Sequence, residues 1–347
     1  MSIPIANLYY LLCYAWDALE QRDAVETGLS DCDTYEDLFG TVLDTGVSRL
    51  IKRGLDRDYV EFHEETSRPS GRMDLGISIK RNLLRRPAVH CSYDSLTQDV
   101  LHNQILRTTI RSLLGASKLD DKIRKRLARI HRRLDGIRYV RLSPRAFSQV
   151  ALHRNNAQYR FLLNVCRLVY EHTLVDEGSG DVRFVDFDQD SKPMWRLFER
   201  FVRNFYRREQ KAYNVESQKF PWQATATADA LAYLPIMETD SSLEAVDGTR
   251  TVIVDTKYYQ EALQSHMSKD SVRSGHLYQM FAYLENAAMA STSSRIFEGV
   301  LLYPEVDRVL DLSYAIRGRT LRVVTVDLAA DWRQIHARLL DIVGLAA

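Results

Sequence analysis

The sequence predicts an α+β protein in two parts: a helical and β-containing N-terminal domain, then a mixed sheet with flanking helices. Three observations lead there. The chain has 347 residues, 45% of them hydrophobic and 27% charged, which suits about two domains with real cores and excludes a disordered chain. Up to about residue 213 the apolar pattern is mostly helical, broken by one β-textured stretch. After Trp222, short apolar runs bounded by turn residues take over.

The elements follow in order. Leu8, Leu11, Leu12, Ala15, Trp16 and Leu19 recur at helical spacing and predict an amphipathic helix over 5–21. A second helix over 34–54 ends at Gly54, a residue suited to a helix C-terminus. Residues 57–94 alternate extended runs with breakers at Pro69, Gly71 and Pro87, and read as a small β-region. Helices return over 96–114 and 119–134, followed by a short strand or loop over 137–143 that Pro144 closes. The boundary falls near there, giving domains 1–150 and 151–347.

In the second domain, helices are expected over 155–176 and 193–213, with Pro193 opening the latter and a turn at DEGSGD, 176–181. Strands are expected at 228–240, 243–246, 251–258, 297–303 and 319–327. A helix at 275–290 interrupts them and another at 330–343 closes the chain.

The formal net charge is only +1, which argues against a nucleic-acid binder until it is divided. Residues 1–48 carry −8, residues 49–145 carry +12 and residues 146–347 carry −3. Thirteen Lys/Arg face three Asp between Arg107 and Arg145. That run is either a solvated helix face or a surface for phosphates or an acidic partner.

Cys13, Cys32, Cys91 and Cys166 form no C-x-x-C pair and read as reduced thiols, not as disulfides or zinc ligands. The apolar N-terminus lacks a basic n-region and a cleavage site, and its apolar run is too short to span a bilayer. Neither a signal peptide nor a membrane span is expected, and the location is expected to be cytoplasmic.

The chemistry concentrates in TVIVDTKYY, 251–259. In a strand, Asp255 and Lys257 point to the same face. Asp247-Gly248 is a hairpin signal, and a loop there places Asp240 opposite Asp255. Opposed carboxylates repel, and a hard divalent cation relieves the repulsion. Mg²⁺ takes one or two carboxylates together with waters and phosphate oxygens. Lys257 suits orienting a water or stabilising developing charge.

The plainer alternative is that both Asp residues flank ordinary strands and Lys257 reaches solvent. Glu199 lies among aromatic residues and is either a further metal-site carboxylate or the partner of Arg203 in an i,i+4 ion pair. Gln279, one turn before Tyr283, is placed to hydrogen-bond the lysine or a DNA backbone, or is a plain helix-surface residue.

The order Glu199, Asp240, Asp255-Thr256-Lys257, Gln279 resembles the PD-(D/E)XK nuclease motif series, with Thr239-Asp240 where Pro-Asp is often found. Over nearly its full length the chain resembles the McrC family, nuclease subunits of the McrBC modification-dependent restriction systems. The stretches that carry this are IPIANLYYLLCYAW, SGRMDL, YDSLTQDVLHNQIL, RFVDFDQD, METD, VDTKYY, LYQMFAYL and LLYPEVD.

The resemblance implies a PD-(D/E)XK-type nuclease domain at 151–347 and a partner-binding domain at 1–150. It implies Mg²⁺-dependent endonuclease activity, with Asp240 and Asp255 as ligands, Lys257 at the nucleophile, Glu199 assisting and Gln279 alongside. The implied partners are a hexameric AAA+ GTPase of the McrB type, whose hydrolysis it stimulates, and methylated double-stranded DNA. The chain has no G-x-x-x-x-G-K-[ST], so a nucleotide motor is expected on another chain. The rivals are a stand-alone DNA repair or recombination nuclease and a non-catalytic activator of an NTPase ring.

Overall fold

Helix α1 (Ile5–Ala15) is too apolar to stand in water, with Leu8 to Ala15 all buried. It packs on a helix almost two hundred residues later, not on its neighbours in sequence. This sets the architecture. The computed structural model describes residues 3–19, 32–152, 157–175, 182–184, 191–258, 263–266, 269–291, 294–306 and 308–345. The turn expected at 176–181 and most of RFVDFDQD lie outside the described residues. The chain divides into two units, one of residues 1–33 with 185–347 and one of residues 34–184. This division is drawn differently from a single boundary near residue 150.

The 34–184 unit is a helical cluster with a small sheet. α2 (Tyr35–Arg53) is capped by the Thr34 side chain, which accepts from Asp37 N, and the chain leaves at Gly54 with φ +92°. The three-stranded antiparallel sheet has the order β1 (Asp58–Thr66), β3 (Val89–Thr97), β2 (Arg72–Asp74). Between β2 and β3 the expected β-texture gives way to a short helix, Leu75–Lys80, because Asp74 caps it by accepting from Ile77 N.

α3 (Leu101–Leu114), α4 (Asp121–Arg133) and α5 (Ala157–Glu171) complete the cluster. α5 packs against α2 and α3, so it belongs to this unit. A Cβ on Gly46 of α2 would lie 2.4 Å from Leu162 Cδ2, so glycine sets that close approach.

The other unit is built on a six-stranded mixed sheet in the order β8-β9-β7-β6-β5-β4. These strands are β4 (Tyr213–Glu216), β5 (Ser241–Ala245), β6 (Arg250–Thr256), β7 (Ile296–Pro304), β8 (Asp311–Ile316) and β9 (Arg319–Val326). β6, β7 and β9 run parallel, and the other pairings are antiparallel. α6 (Ser191–Glu209) and α8 (Trp332–Ile342) pack with α1 through Tyr14, Phe201, Phe205 and Trp332. α7 (Ser274–Ala290) packs on odd-numbered sheet positions: Met280 and Leu284 meet Ile253, Leu301 and Tyr303. Gly299 makes this possible, because a Cβ there would meet Met280 Sδ at 2.6 Å.

Several strand expectations change. Residues 228–240 form one helical turn, Ala228–Leu231, and a two-residue strand, Met237–Glu238. Leu231, Tyr233, Leu234 and Ile236 are apolar but exposed, so no neighbouring layer rewards an extended run. β4 and β8 arise where no strand was expected. β8 is a mostly exposed edge strand held by the Arg317-Gly318 turn, where both residues have positive φ.

The PD-(D/E)XK label attached to this sheet is also corrected. The mixed sheet stands, but no group of three or more His, Cys, Asp or Glu placed to hold a metal ion occurs among the described residues. All four cysteines are buried and none forms a disulfide. Among the described residues no helix is long and apolar enough to cross a membrane.

Candidate functional site

The site forms where β6 runs out of the core. Its burial is nearly continuous from Thr251 to Thr256, as expected of a strand flanked by parallel and antiparallel partners and covered on both faces. The β5–β6 ladder pairs Thr251 with Glu244, Val252 with Leu243 and Val254 with Ser241. This is the register a turn centred on Asp247-Gly248 requires. Gly248 supplies the positive φ, +74°, and its N–H donates to Ala245 O. Ladder pairing stops at Ser241, so Asp240 leaves the strand one residue before it would face Asp255.

Asp240 turns inward instead. Its Oδ2 accepts from the Thr256 N–H and from the Thr256 hydroxyl, both at 2.7 Å. Its backbone oxygen accepts from Arg203 Nε at 2.6 Å. Arg203 also pairs with Glu199 on α6, so one guanidinium ties α6 to the start of β5. Glu199 makes the i,i+4 ion pair, and its carboxylate is close enough to Asp240 and Asp255 to act on them electrostatically. Burial and the Asp240 charge raise the Glu199 pKa above the usual carboxylate range.

Asp255 is 1% exposed. Burial, then the Asp240 charge, pushes its pKa up to about 7 despite Lys257, with Glu199 adding to the rise. Lys257 Nζ lies 2.7 Å from Asp255 Oδ2 and acts on it both as a charge and as a hydrogen-bond donor. The pair is charge-assisted and holds the lysine against the buried carboxylate. For Lys257, burial works against the charge, but the surrounding carboxylates prevail and its pKa is raised.

Gln279 completes the arrangement on the α7 side. Lys257 Nζ donates to Gln279 Oε1 at 3.0 Å, Gln279 Nε2 donates to Tyr283 Oη at 2.8 Å, and that hydroxyl donates to Glu238 O at 3.0 Å. This relay fixes the amide orientation and aims the lysine back at Asp255.

The structure thus gathers Glu199, Asp240, Asp255, Lys257 and Gln279 at one end of the sheet. Sequence reasoning missed Thr256 and Arg203, which hold Asp240. The hydroxyl between Asp255 and Lys257 was the available signal. His276 lies within electrostatic reach of Lys257. Its Nδ1 lies 2.7 Å from Tyr303 Oη, and burial together with Lys257 and Arg273 lowers its pKa to about 4, so it is neutral near pH 7.

The mixed sheet thus ends in a buried carboxylate–lysine pair. Comparison with known proteins then gives the family. Residues 6–304 match the family described as McrBC 5-methylcytosine restriction system component, and the chain belongs to that family. It is 32% identical over 341 residues to the type IV methyl-directed restriction enzyme EcoKMcrBC of Escherichia coli K12, covering 98% of this chain and 97% of the relative.

Among solved structures, a refined half-complex from a tetradecameric assembly of Thermococcus gammatolerans McrB AAA+ hexamers with bound McrC matches at 18% identity and TM-score 0.53. The match covers 98% of this chain and 76% of that one. The cryo-EM structure of the Thermococcus gammatolerans McrBC complex matches at 23% identity and TM-score 0.44, over 61% and 60%.

These findings correct several expectations. The family description names a component of the system and does not single out a nuclease subunit. The matched assembly contains AAA+ hexamers as well as McrC, and at 18% identity the likeness shows the fold alone. The narrower assignments do not stand on these matches: the McrC identity, the endonuclease activity, and the partner set of a McrB-type ring with methylated duplex DNA. They are replaced by membership of the McrBC component family. The likeness does not transfer a nucleotide site either, because the chain contains no G-x-x-x-x-G-K-[ST] phosphate loop.

Proposed function

We propose that this chain supplies a Mg²⁺-dependent site for a phosphate-bearing substrate within a methyl-directed restriction enzyme of the cytoplasm. The observation that carries the reading is the Asp255 carboxylate: buried, close to Asp240 and Glu199, and paired with Lys257. Asp240 and Asp255, with Glu199 beside them, are hard oxygen donors of the kind Mg²⁺ takes, and two carboxylates suffice when water and phosphate oxygens complete the shell. Each carboxylate is meanwhile held by a protein group, namely Thr256, Lys257 or Arg203, which keeps the site from repelling itself apart.

When bound, the cation would neutralise phosphate charge and lower the pKa of a coordinated water. Lys257 places a positive charge beside that position, and Gln279 restricts where the charge can go. Thr256 fixes the Asp240 carboxylate in place by donating two hydrogen bonds to one oxygen.

Titration with Mg²⁺ by calorimetry, and with Mn²⁺ by electron paramagnetic resonance, tests this without an activity assay. Asp255→Asn should abolish saturable binding and Glu199→Gln should weaken it. Equal binding by wild type and Asp255→Asn would overturn the proposal. GTP and DNA, offered separately with the metal, identify which phosphate the site accepts.

A further inference from the structure

The basic run that the site does not use forms a defined surface in the 34–184 unit. α4 buries Ile123, Leu127 and Ile130 and exposes Lys122, Lys125, Arg129, Arg132 and Arg133. At 100° per residue these five cations fall within an arc of roughly 100°, opposite the buried stripe. None of the five makes a side-chain ion pair among the described residues, whereas their neighbours Arg124 and Arg126 pair with Asp121 and Asp44. Arg132 and Arg133 in the last turn have a local reason to be there, since cations favour a helix C-terminus. Arg129 lies within electrostatic reach of Asp44 and Lys122 of Asp120, without pairing, and Lys122, Lys125 and Arg129 all lie before that last turn.

A second element extends the face. Tyr139 packs beside Arg107 and Arg111 of α3, their guanidinium carbons 4.5 Å and 4.6 Å from its ring centre, and its hydroxyl lies 3.0 Å from His131 Nε2 on α4. Arg107 is spent on Asp135 and Ile137 O. Arg111 is exposed, and the ring holds it next to the end of α4.

We infer that the exposed face of α4, with Arg111 held by Tyr139, binds the phosphate backbone of a nucleic acid without reading its bases. Charge on one face, unpaired and repeating every three or four residues, is the footprint of backbone binding. A protein partner fits less well. Protein interfaces are depleted in lysine and centre on buried apolar groups, and Tyr139 is the single large hydrophobic residue exposed between 101 and 150 among the described residues.

Binding of the full-length chain to a fluorescent 30-base-pair duplex is measured in EDTA over a salt series, with and without methylated cytosines. The wild type should show a steep salt dependence that methylation does not change. The triple variant Lys122→Gln, Lys125→Gln, Arg129→Gln should flatten the slope of log K against log salt by about 2.7, at roughly 0.9 per lost contact, and bind about tenfold or more weakly at 0.1 M salt.

Tyr139→Leu, which frees Arg111, should weaken binding by a smaller factor. These positions are exposed, and an unchanged circular dichroism melt verifies that the variants fold. An unchanged salt slope in the triple variant would overturn the inference. So would tighter binding to polyglutamate than to the duplex, which would point to an acidic protein partner.

Discussion

Thr256 donates both its backbone N–H and its hydroxyl to a single oxygen of Asp240, each at 2.7 Å. The carboxylate that the hairpin register carries toward Asp255 is thereby fixed by the residue next to Asp255. The two acids are positioned by one segment of chain and cannot drift independently.

Thr256→Val removes the hydroxyl bond while keeping shape and β-branching. A hydrogen bond to a charged group contributes about 1.5–3 kcal/mol, so the fold should lose about that much. Mg²⁺ binding should weaken as Asp240 loosens. Thr256→Ser should restore both in urea melts and calorimetry.

The stability of the metal-free protein should depend on pH in a stated direction. The Asp255 pKa rises from an ordinary 3.8 to about 7 in the folded state, so the folded protein holds this proton more tightly than the unfolded chain. The contribution is fully present below about pH 4 and is lost as pH rises through about 7. Urea midpoints of wild type relative to Asp255→Asn should therefore fall between those limits. Saturating Mg²⁺ should recover the loss above pH 7 in wild type and not in the variant.

Tyr283→Phe cuts the relay from Lys257 through Gln279 to Glu238 O. Its stability cost should be about 1 kcal/mol, the net value of an ordinary hydrogen bond. Its effect on the site should be larger, because Gln279 is then free to flip and present its amide nitrogen to the lysine. A lowered Lys257 order parameter by NMR checks this; an unchanged one counts against the relay.

Gly299→Val places a branched side chain where even its first carbon, Cβ, would lie 2.6 Å from Met280 Sδ. Overpacking should cost about 1–3 kcal/mol and push α7, with Gln279, away from the sheet. Met280→Ala in the same chain should recover part of the loss in denaturant melts.

Much of the site was legible because it depends on local rules. Period-two alternation put Asp255 and Lys257 on one face, and the Asp247-Gly248 signal gave a register that the ladder from Thr251–Glu244 to Val254–Ser241 follows. What local rules do not contain is the end of a strand. Asp240 leaves the ladder because Thr256 and Arg203 offer it better hydrogen bonds than Asp255 could.

The same limit explains residues 228–240, whose apolar character suggested a strand. Whether an apolar run becomes a strand depends on a neighbour with free backbone groups, and no such neighbour is written in the run itself. Conversely, β8 forms from a largely exposed sequence because β9 presents an open edge to it.

Asn7 bonds the backbone oxygens of Leu328 and Ala330 at 2.8 Å and 2.9 Å, and Tyr14 bonds Glu209 Oε1 at 2.6 Å. The first helix is thus fastened to segments 195 to 323 residues further along the chain, while residues 34–184 form a unit continuous in sequence. On the ribosome the interior segment can therefore complete itself while α1, mostly apolar, still waits for its partners. For that interval the nascent chain carries an adhesive stretch, and the order of assembly is inner unit first, outer unit last. The exposure of Leu8 to Ala15 during that interval follows from the chain's connectivity, independent of what the finished protein does.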